Sequence, residues 1–192
     1  MYKIAGEQLP CVFDVSARTV ATQSLNIFGD HSDVYACRQT GFAMLCETNP
    51  QEVMDLSPVA HLATIEGKVP FINFFDGFRT SHEIQKIEKW DYADLKEMCN
   101  MDAVKAFREH ALNPEHPAMR GSHENGDVFF QHREACNTAY NELPAIVEKY
   151  MGKINEKLGT DYDLFNYYGA ADADRVIVAM AVSYTHLTLP TT

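Results

Sequence analysis

The sequence predicts an α/β fold built on a parallel sheet. Three short apolar runs, at residues 11–15, 42–47 and 69–77, have the length of buried strands. Residues 53–65 lie between the second and third runs and carry apolar side chains at helical spacing. A strand, a helix and a second strand in this order favour a right-handed parallel crossover.

The helix of this crossover has recognisable start and stop signals. Asn49 is a suitable N-cap, and Pro50 fits the first helical turn. Pro58 lies inside the apolar pattern and predicts a kink or an interruption. Gly67 is predicted to close the helix.

The rest of the chain predicts further helices joined by loops. Residues 19–41 contain few strong helix formers, so we expect an ordered loop with one helical turn at 22–28 and turn chemistry in the cluster GDHSD. Helices are expected at 92–100, 101–112 and 143–158, with Gly159 ending the last of them, while 113–127 is expected to be loop and 175–180 a parallel-type strand.

Bulk properties exclude several functional classes. The 192 residues carry a net charge of −11, which argues against nucleic-acid binding because that needs a basic surface. The chain has no apolar run of membrane-spanning length and no signal-peptide pattern, so no membrane association and a cytoplasmic location are predicted. The five cysteines include no C-x-x-C pair and are interpreted as reduced thiols rather than as disulfides, zinc ligands or cluster ligands.

Two polar corners follow predicted strands, and each contains an arginine. Arg18 follows the first strand and could hold a carboxylate or phosphate through two parallel N–H bonds. It could also be a surface arginine that is solvated or paired with one of the many acidic residues, and this stretch by itself favours that second interpretation. Residues 79–83 form the other corner, so two strands of one sheet are expected to end in arginine-bearing turns.

No self-sufficient catalytic motif occurs in the sequence. Ser81, His82 and Glu83 are consecutive, so their side chains point in different directions, and the nucleophile motif G-x-S-x-G is absent. The sequence also lacks H-E-x-x-H, G-x-G-x-x-G and the Walker lysine motif. Taken from the residues alone, the chain has the character of one half of a shared active site.

Four long segments closely resemble the first domain of the pyruvate:ferredoxin (flavodoxin) oxidoreductase family. They follow in the family's order from Met1 to about Met180: PCVFDVSARTVATQSLNIFGDHSDVYACRQTGFAML, VPFINFFDGFRTSHEIQKIE, LNPEHPAMRGSHENGDVFFQHREACN and LFNYYGAADADRVIVAM. The resemblance implies a three-layer, parallel-sheet thiamine-diphosphate-binding domain of the pyrimidine type. It also implies that this domain is incomplete and is followed by the first strand of a second α/β domain.

The same resemblance implies an activity, cofactors and partners for the full-length enzyme. Such an enzyme oxidatively decarboxylates pyruvate with coenzyme A to acetyl-CoA and carbon dioxide, and passes electrons to ferredoxin or flavodoxin. Its cofactors are thiamine diphosphate, Mg²⁺ and [4Fe-4S] clusters, and it is expected to be a homodimer. The arginine of the family's strand-end motif binds the pyruvate carboxylate and maps onto Arg18, which reverses the interpretation drawn from the stretch alone.

The sequence departs from the family pattern in several places. Asp14 stands where the family usually has histidine. The family's threonine-proline loop and activating glutamate would lie upstream of Met1, and its diphosphate-binding domain and cluster cysteines would lie downstream. We therefore expect a fragment that contains no catalytic or metal-binding residue, binds no cofactor alone and is inactive in isolation.

The resemblance also divides the chain. Residues 1–164 are assigned to the first domain, 165–182 to the start of the second and 183–192, SYTHLTLPTT, to a non-native read-through tail. The alternative to an enzyme fragment is a non-catalytic α/β binding or assembly subunit that reuses this domain.

Overall fold

The computed structural model describes residues 1–180 and contains a three-stranded parallel sheet. The strands are β1 (Val12–Ala17), β2 (Ala43–Glu47) and β3 (Phe71–Asp76), in the order β1-β3-β2. Both outer strands pair with β3 in parallel. Three of the four predicted strands and the α/β fold class are confirmed.

Eight helices surround the sheet in the described part of the chain. They are α1 (Tyr2–Gly6), α2 (Ser32–Ala36), α3 (Pro50–Gly67), α4 (Arg79–His82), α5 (Tyr92–Met98), α6 (Met101–Glu109), α7 (Phe129–Ala135) and α8 (Asn137–Leu158). The predicted helices at 92–100 and 101–112 correspond to α5 and α6. No helix within residues 1–180 is both long enough and apolar enough to cross a membrane.

The central helix, α3, begins and ends at the predicted residues. The Asn49 side chain accepts hydrogen bonds from the backbone N–H groups of Gln51 and Glu52, both at 3.0 Å. The helix continues through Pro58, so the predicted interruption is wrong. Gly67 is the last helical residue, and Lys68 takes the left-handed cap conformation with φ 57°. Pro58 has no backbone N–H, so one helical hydrogen bond is missing there. The helix continues because α3 is packed between the sheet and α8.

Three further expectations need correction. Residues 22–28 contain no helix, and the helical turn of this loop is α2 instead. Helix α8 begins at Asn137 and runs through Pro144, and Gly159 ends it with φ 71° as predicted. Residues 175–180 form no strand, and Ile177 is 79% exposed. A parallel strand needs a neighbour for its hydrogen bonds, and nothing in residues 1–180 provides one there.

The core lies on both faces of the sheet. On one face, α3 and α8 bury an apolar cluster that includes Val59, Phe71 and Tyr150. On the other face, a smaller cluster joins α1 and α2 to the sheet through Ala5, Val34 and neighbouring strand residues. The division into domains remains a prediction, and the proposed read-through tail lies outside the described residues.

Candidate functional site

The two arginine-bearing corners meet at one edge of the sheet. The β1–β3 register pairs Ala17 with Asp76, the last residues of their strands. The next residue on β3, Gly77, continues the pairing by donating its N–H to the Ala17 carbonyl oxygen at 2.8 Å. Arg18 therefore lies beside Gly77 at the carboxyl ends of parallel strands, where ligands of open α/β sheets bind.

The Arg18 side chain is held at one nitrogen. Its Nε donates to the Gly77 carbonyl oxygen at 2.8 Å, and the residue is partly buried. Within residues 1–180, the two Nη nitrogens have no hydrogen bond or ion pair. The corner therefore presents a fixed guanidinium whose outer edge is available for an anion.

The polar cluster of the long loop supports the Arg18 backbone. The Asp33 carboxylate accepts a hydrogen bond from the Arg18 N–H at 2.9 Å, and the Asp33 N–H donates to the Arg18 carbonyl at 3.3 Å. The Ser32 hydroxyl accepts from the Val20 N–H at 3.0 Å. Helix α2 thus folds back onto the end of β1 and fixes the turn that carries Arg18.

The second corner is organised by Asp76. This side chain is 4% exposed, and its Oδ1 accepts hydrogen bonds from the N–H groups of Phe78 at 2.7 Å and Arg79 at 2.8 Å. These bonds satisfy backbone donors at the start of α4 that would otherwise be unpaired. The ring of Phe78 packs edge-on against Phe28 of the long loop, with 4.8 Å between centroids.

The Ser81–His82–Glu83 run does not form a nucleophile set. The Ser81 hydroxyl donates to the Gly77 carbonyl oxygen at 2.8 Å. The His82 Nδ1 lies 3.0 Å from the Phe78 carbonyl oxygen and 2.9 Å from Ser81 Oγ. Because a carbonyl can only accept, Nδ1 carries the proton and cannot take one from Ser81. In this arrangement His82 does not activate Ser81 as a nucleophile.

A buried glutamate, Glu47, which sequence reasoning missed, ends β2. Glu47 is fully buried, and neither of its carboxylate oxygens has a hydrogen-bond partner in the described part of the chain. Burial, with smaller contributions from the negative charges of Asp14 and Glu52, raises the pKa of Glu47 to about 9. The Asn73 amide is near enough to offset part of this effect, but its Nδ2 donates to Asp14 and Ser57 instead. The only sequence signal was an acidic residue closing the apolar run FAMLCE.

Asp14, the residue that departs from the family pattern, has a defined partner. The buried Asn73 in the middle of β3 donates through Nδ2 to Asp14 Oδ1 at 3.0 Å and to Ser57 Oγ at 2.8 Å. The other Asp14 oxygen lies 3.8 Å from His61 Nε2 on α3. Asp14 therefore links β1 to β3 and α3 and lies away from the Arg18 corner.

A cavity of about 710 Å³ lies beside α3 and is lined in part by Ser16. Most of its wall is apolar and includes Val53, Leu62 and Trp90. Such a wall does not suit an anion, so Arg18 remains the anion-binding candidate.

The described residues do not supply a metal or cluster site. No group of three or more His, Cys, Asp or Glu side chains in residues 1–180 is arranged to hold a metal ion. All five cysteines are free. Among the described residues, Arg18 stays the predicted candidate for binding a carboxylate or phosphate.

Comparison with known proteins gives this geometry a context. The relatives include the pyruvate-flavodoxin oxidoreductase of Enterobacter agglomerans, 63% identical over 180 residues, and the pyruvate:ferredoxin oxidoreductase of Moorella thermoacetica, 57% identical over 183 residues. These alignments cover 94% and 95% of this chain but 15% and 16% of the two relatives. The pyruvate dehydrogenase [NADP(+)] of Cryptosporidium parvum is 53% identical over 180 residues, which are 94% of this chain and 9% of that protein.

A family model agrees with these relatives. Residues 1–152 match the model described as pyruvate flavodoxin/ferredoxin oxidoreductase, thiamine diphosphate-binding. The match includes all three strands and both corners. The chain therefore belongs to the pyruvate flavodoxin/ferredoxin oxidoreductase family, within its thiamine diphosphate-binding domain.

Proposed function

We propose that this chain supplies the carboxylate-binding corner of a thiamine diphosphate-dependent pyruvate oxidoreductase. The full-length enzyme would convert pyruvate and coenzyme A to acetyl-CoA and carbon dioxide, with electrons passing through [4Fe-4S] clusters to ferredoxin or flavodoxin. The observation that carries the proposal is the Arg18 guanidinium, fixed through Nε at the carboxyl ends of two parallel strands. The family membership and the names of the relatives support the choice of pyruvate.

The corner is chemically matched to a small 2-oxoacid. The two Nη nitrogens of a guanidinium can hold both oxygens of a carboxylate, which fixes the position of that group and its orientation. The chain as a whole is strongly acidic, with a net charge of −11. A negatively charged substrate therefore needs a local positive group, and Arg18 provides one beside a backbone turn.

The cofactors would be held outside the described residues. Residues 1–180 contain no ligand set for Mg²⁺ and no cysteine set for a cluster, and the sequence lacks a glycine-rich phosphate loop. In this proposal the rest of the enzyme and a second subunit of a homodimer bind thiamine diphosphate, Mg²⁺, the clusters and coenzyme A. The free cysteines support a reducing, cytoplasmic location.

The electron acceptor is not specified by this region. The names of three relatives specify flavodoxin, ferredoxin and NADP⁺, although all three resemble this chain at more than half of the aligned positions. Acceptor choice in the proposal therefore depends on parts of the enzyme beyond this chain.

The test is substitution of Arg18 in the full-length enzyme. Removing a charged hydrogen-bonding partner costs about 1.5–3 kcal/mol, so Arg18→Ala should lower kcat/KM for pyruvate by roughly one to two orders of magnitude. Arg18→Lys keeps the charge but loses the planar fork and should recover only part of the activity. Thiamine and iron contents should remain normal because Arg18 contacts substrate. The exposed Arg108 on α6 provides the matched control, Arg108→Ala.

Two results would contradict this function. An unchanged kcat/KM in Arg18→Ala would remove Arg18 from the substrate site. Loss of bound thiamine or iron in the same variant would give Arg18 a structural role. If the full-length protein binds pyruvate without turnover, the non-catalytic subunit becomes the better interpretation.

A further inference from the structure

We infer that Gly77 and Ser81 position Arg18 by fixing its guanidinium at Nε, so that a substrate carboxylate must bind end-on to the two Nη nitrogens. This inference rests on the proposed function of Arg18 and adds the residues that orient it. Neither residue needs to touch the substrate, because both act through the Gly77 carbonyl oxygen.

The Gly77 carbonyl oxygen is the shared acceptor of this corner. It receives the Arg18 Nε–H at 2.8 Å and the Ser81 hydroxyl at 2.8 Å. A carbonyl oxygen has two lone pairs, so both bonds can form together. Ser81 belongs to α4, and its bond therefore ties the position of the Gly77 peptide to that helix.

Glycine at position 77 is required by close approach and not by backbone conformation. Gly77 has no positive φ, so other residues could adopt its backbone angles. A Cβ atom built there would overlap the Ala17 carbonyl oxygen and would lie 2.5 Å from Arg18 Cγ. A side chain at this position would therefore push the β1 end and the Arg18 side chain away from β3.

The occupied Nε determines how a carboxylate can approach. A guanidinium can bind a carboxylate side-on through Nε and one Nη, or end-on through both Nη nitrogens. The Gly77 carbonyl blocks the side-on mode by taking the Nε–H. The carboxylate can then bind only end-on. A 2-oxoacid substrate must be held in a single orientation to react, and this binding mode provides it.

The experiment combines steady-state kinetics on the full-length enzyme with a double-mutant cycle. Gly77→Ala should raise KM for pyruvate about 10-fold, because a charged contact is misplaced rather than removed. The same substitution in an Arg18→Ala background should change kcat/KM less than about 2-fold, because Arg18 is then absent. Gly152→Ala is the matched control, since a Cβ at Gly152 meets nothing within 4 Å.

Ser81 provides a second, milder test in case Gly77→Ala fails to fold. Ser81→Ala should raise KM for pyruvate several-fold with normal thiamine and iron contents, whereas Ser81→Thr should restore KM because it keeps the hydroxyl. Wild-type KM in Ser81→Ala would overturn the role of Ser81.

The possible results distinguish failure of the positioning role from failure of the proposed function. Equal effects of Gly77→Ala with and without Arg18 would overturn positioning, because Gly77 would then act independently of Arg18. An unchanged kcat/KM in Arg18→Ala alone would overturn the proposed function, whatever the Gly77 variants show. A fall in kcat/KM for Arg18→Ala together with wild-type kinetics for Gly77→Ala would retain the function and reject the positioning.

Discussion

Replacing Glu47 with glutamine should stabilise the protein at neutral pH. The Glu47 carboxyl group is fully buried without a hydrogen-bond partner in residues 1–180, and burial raises its pKa to about 9 from 4.5. At pH 7 the folded state must therefore hold a proton that the unfolded chain has already released. The free-energy cost is about 1.4 kcal/mol per pH unit above 4.5, or roughly 3 kcal/mol at pH 7.

The direction of the pH dependence follows from proton counts. Between pH 4.5 and about 9 the folded state binds one more proton at Glu47 than the unfolded state, so stability falls as pH rises through this window. Below pH 4.5 both states are protonated and the contribution is constant. Glu47→Gln is neutral at every pH and should lose this slope, with a melting temperature up to about 12 °C above wild type at pH 7, because the buried amide N–H groups offset part of the gain.

Thermal and urea unfolding of the 192-residue chain at pH 4, 5.5, 7 and 8.5 would measure the effect. Glu156→Gln, which removes an exposed glutamate of α8, is the charge-matched control and should follow the wild-type pH dependence. Identical pH slopes for wild type and Glu47→Gln would refute the assignment of Glu47 as a neutral, buried acid.

Two further predictions concern the chain in isolation. Asn49→Ala removes the two capping bonds that Asn49 Oδ1 accepts at the start of α3 and should lower the free energy of unfolding by about 1 kcal/mol, measured by urea titration. Asn141→Ala, in the exposed part of α8, should not lower it; an equal loss in both variants would show that the cap contributes nothing specific. Isothermal titration of the chain with thiamine diphosphate and Mg²⁺ should show no micromolar binding, because residues 1–180 provide no metal-ligand group. A micromolar dissociation constant would contradict this.

The local features of the fold were predictable from sequence. Strand positions, the Asn49 cap and the Gly159 terminus depend on residues within a few positions of one another. Pro58 was misjudged because tertiary packing of α3 outweighs the loss of one helical hydrogen bond. The residues 175–180 were misjudged because strand formation depends on a neighbour that composition cannot supply.

The candidate site was predictable only in part. The position of Arg18 after a strand was readable, and its convergence with the second corner followed from parallel pairing. The hydrogen bond from Arg18 to the Gly77 carbonyl could not be predicted, because the two residues are 59 apart in sequence. Glu47 was missed for a related reason. Its pKa is raised by burial among β1, β3 and α3, and a local sequence pattern does not show whether a residue will be buried.

The order β1-β3-β2 has a consequence for the route by which this sheet assembles. Pairing of β1 with β3 joins residues 59 apart, as in the Asp14–Asn73 contact, whereas pairing of β2 with β3 spans roughly half that separation through α3. Shorter loops close at lower entropic cost, so we expect β2, α3 and β3 to form an early folding unit that β1 joins later. The edge strand that delivers Arg18 is then also the part of the sheet that can open first without loss of the central unit. The corner that carries Arg18 would consequently be gained late in folding and lost early in unfolding.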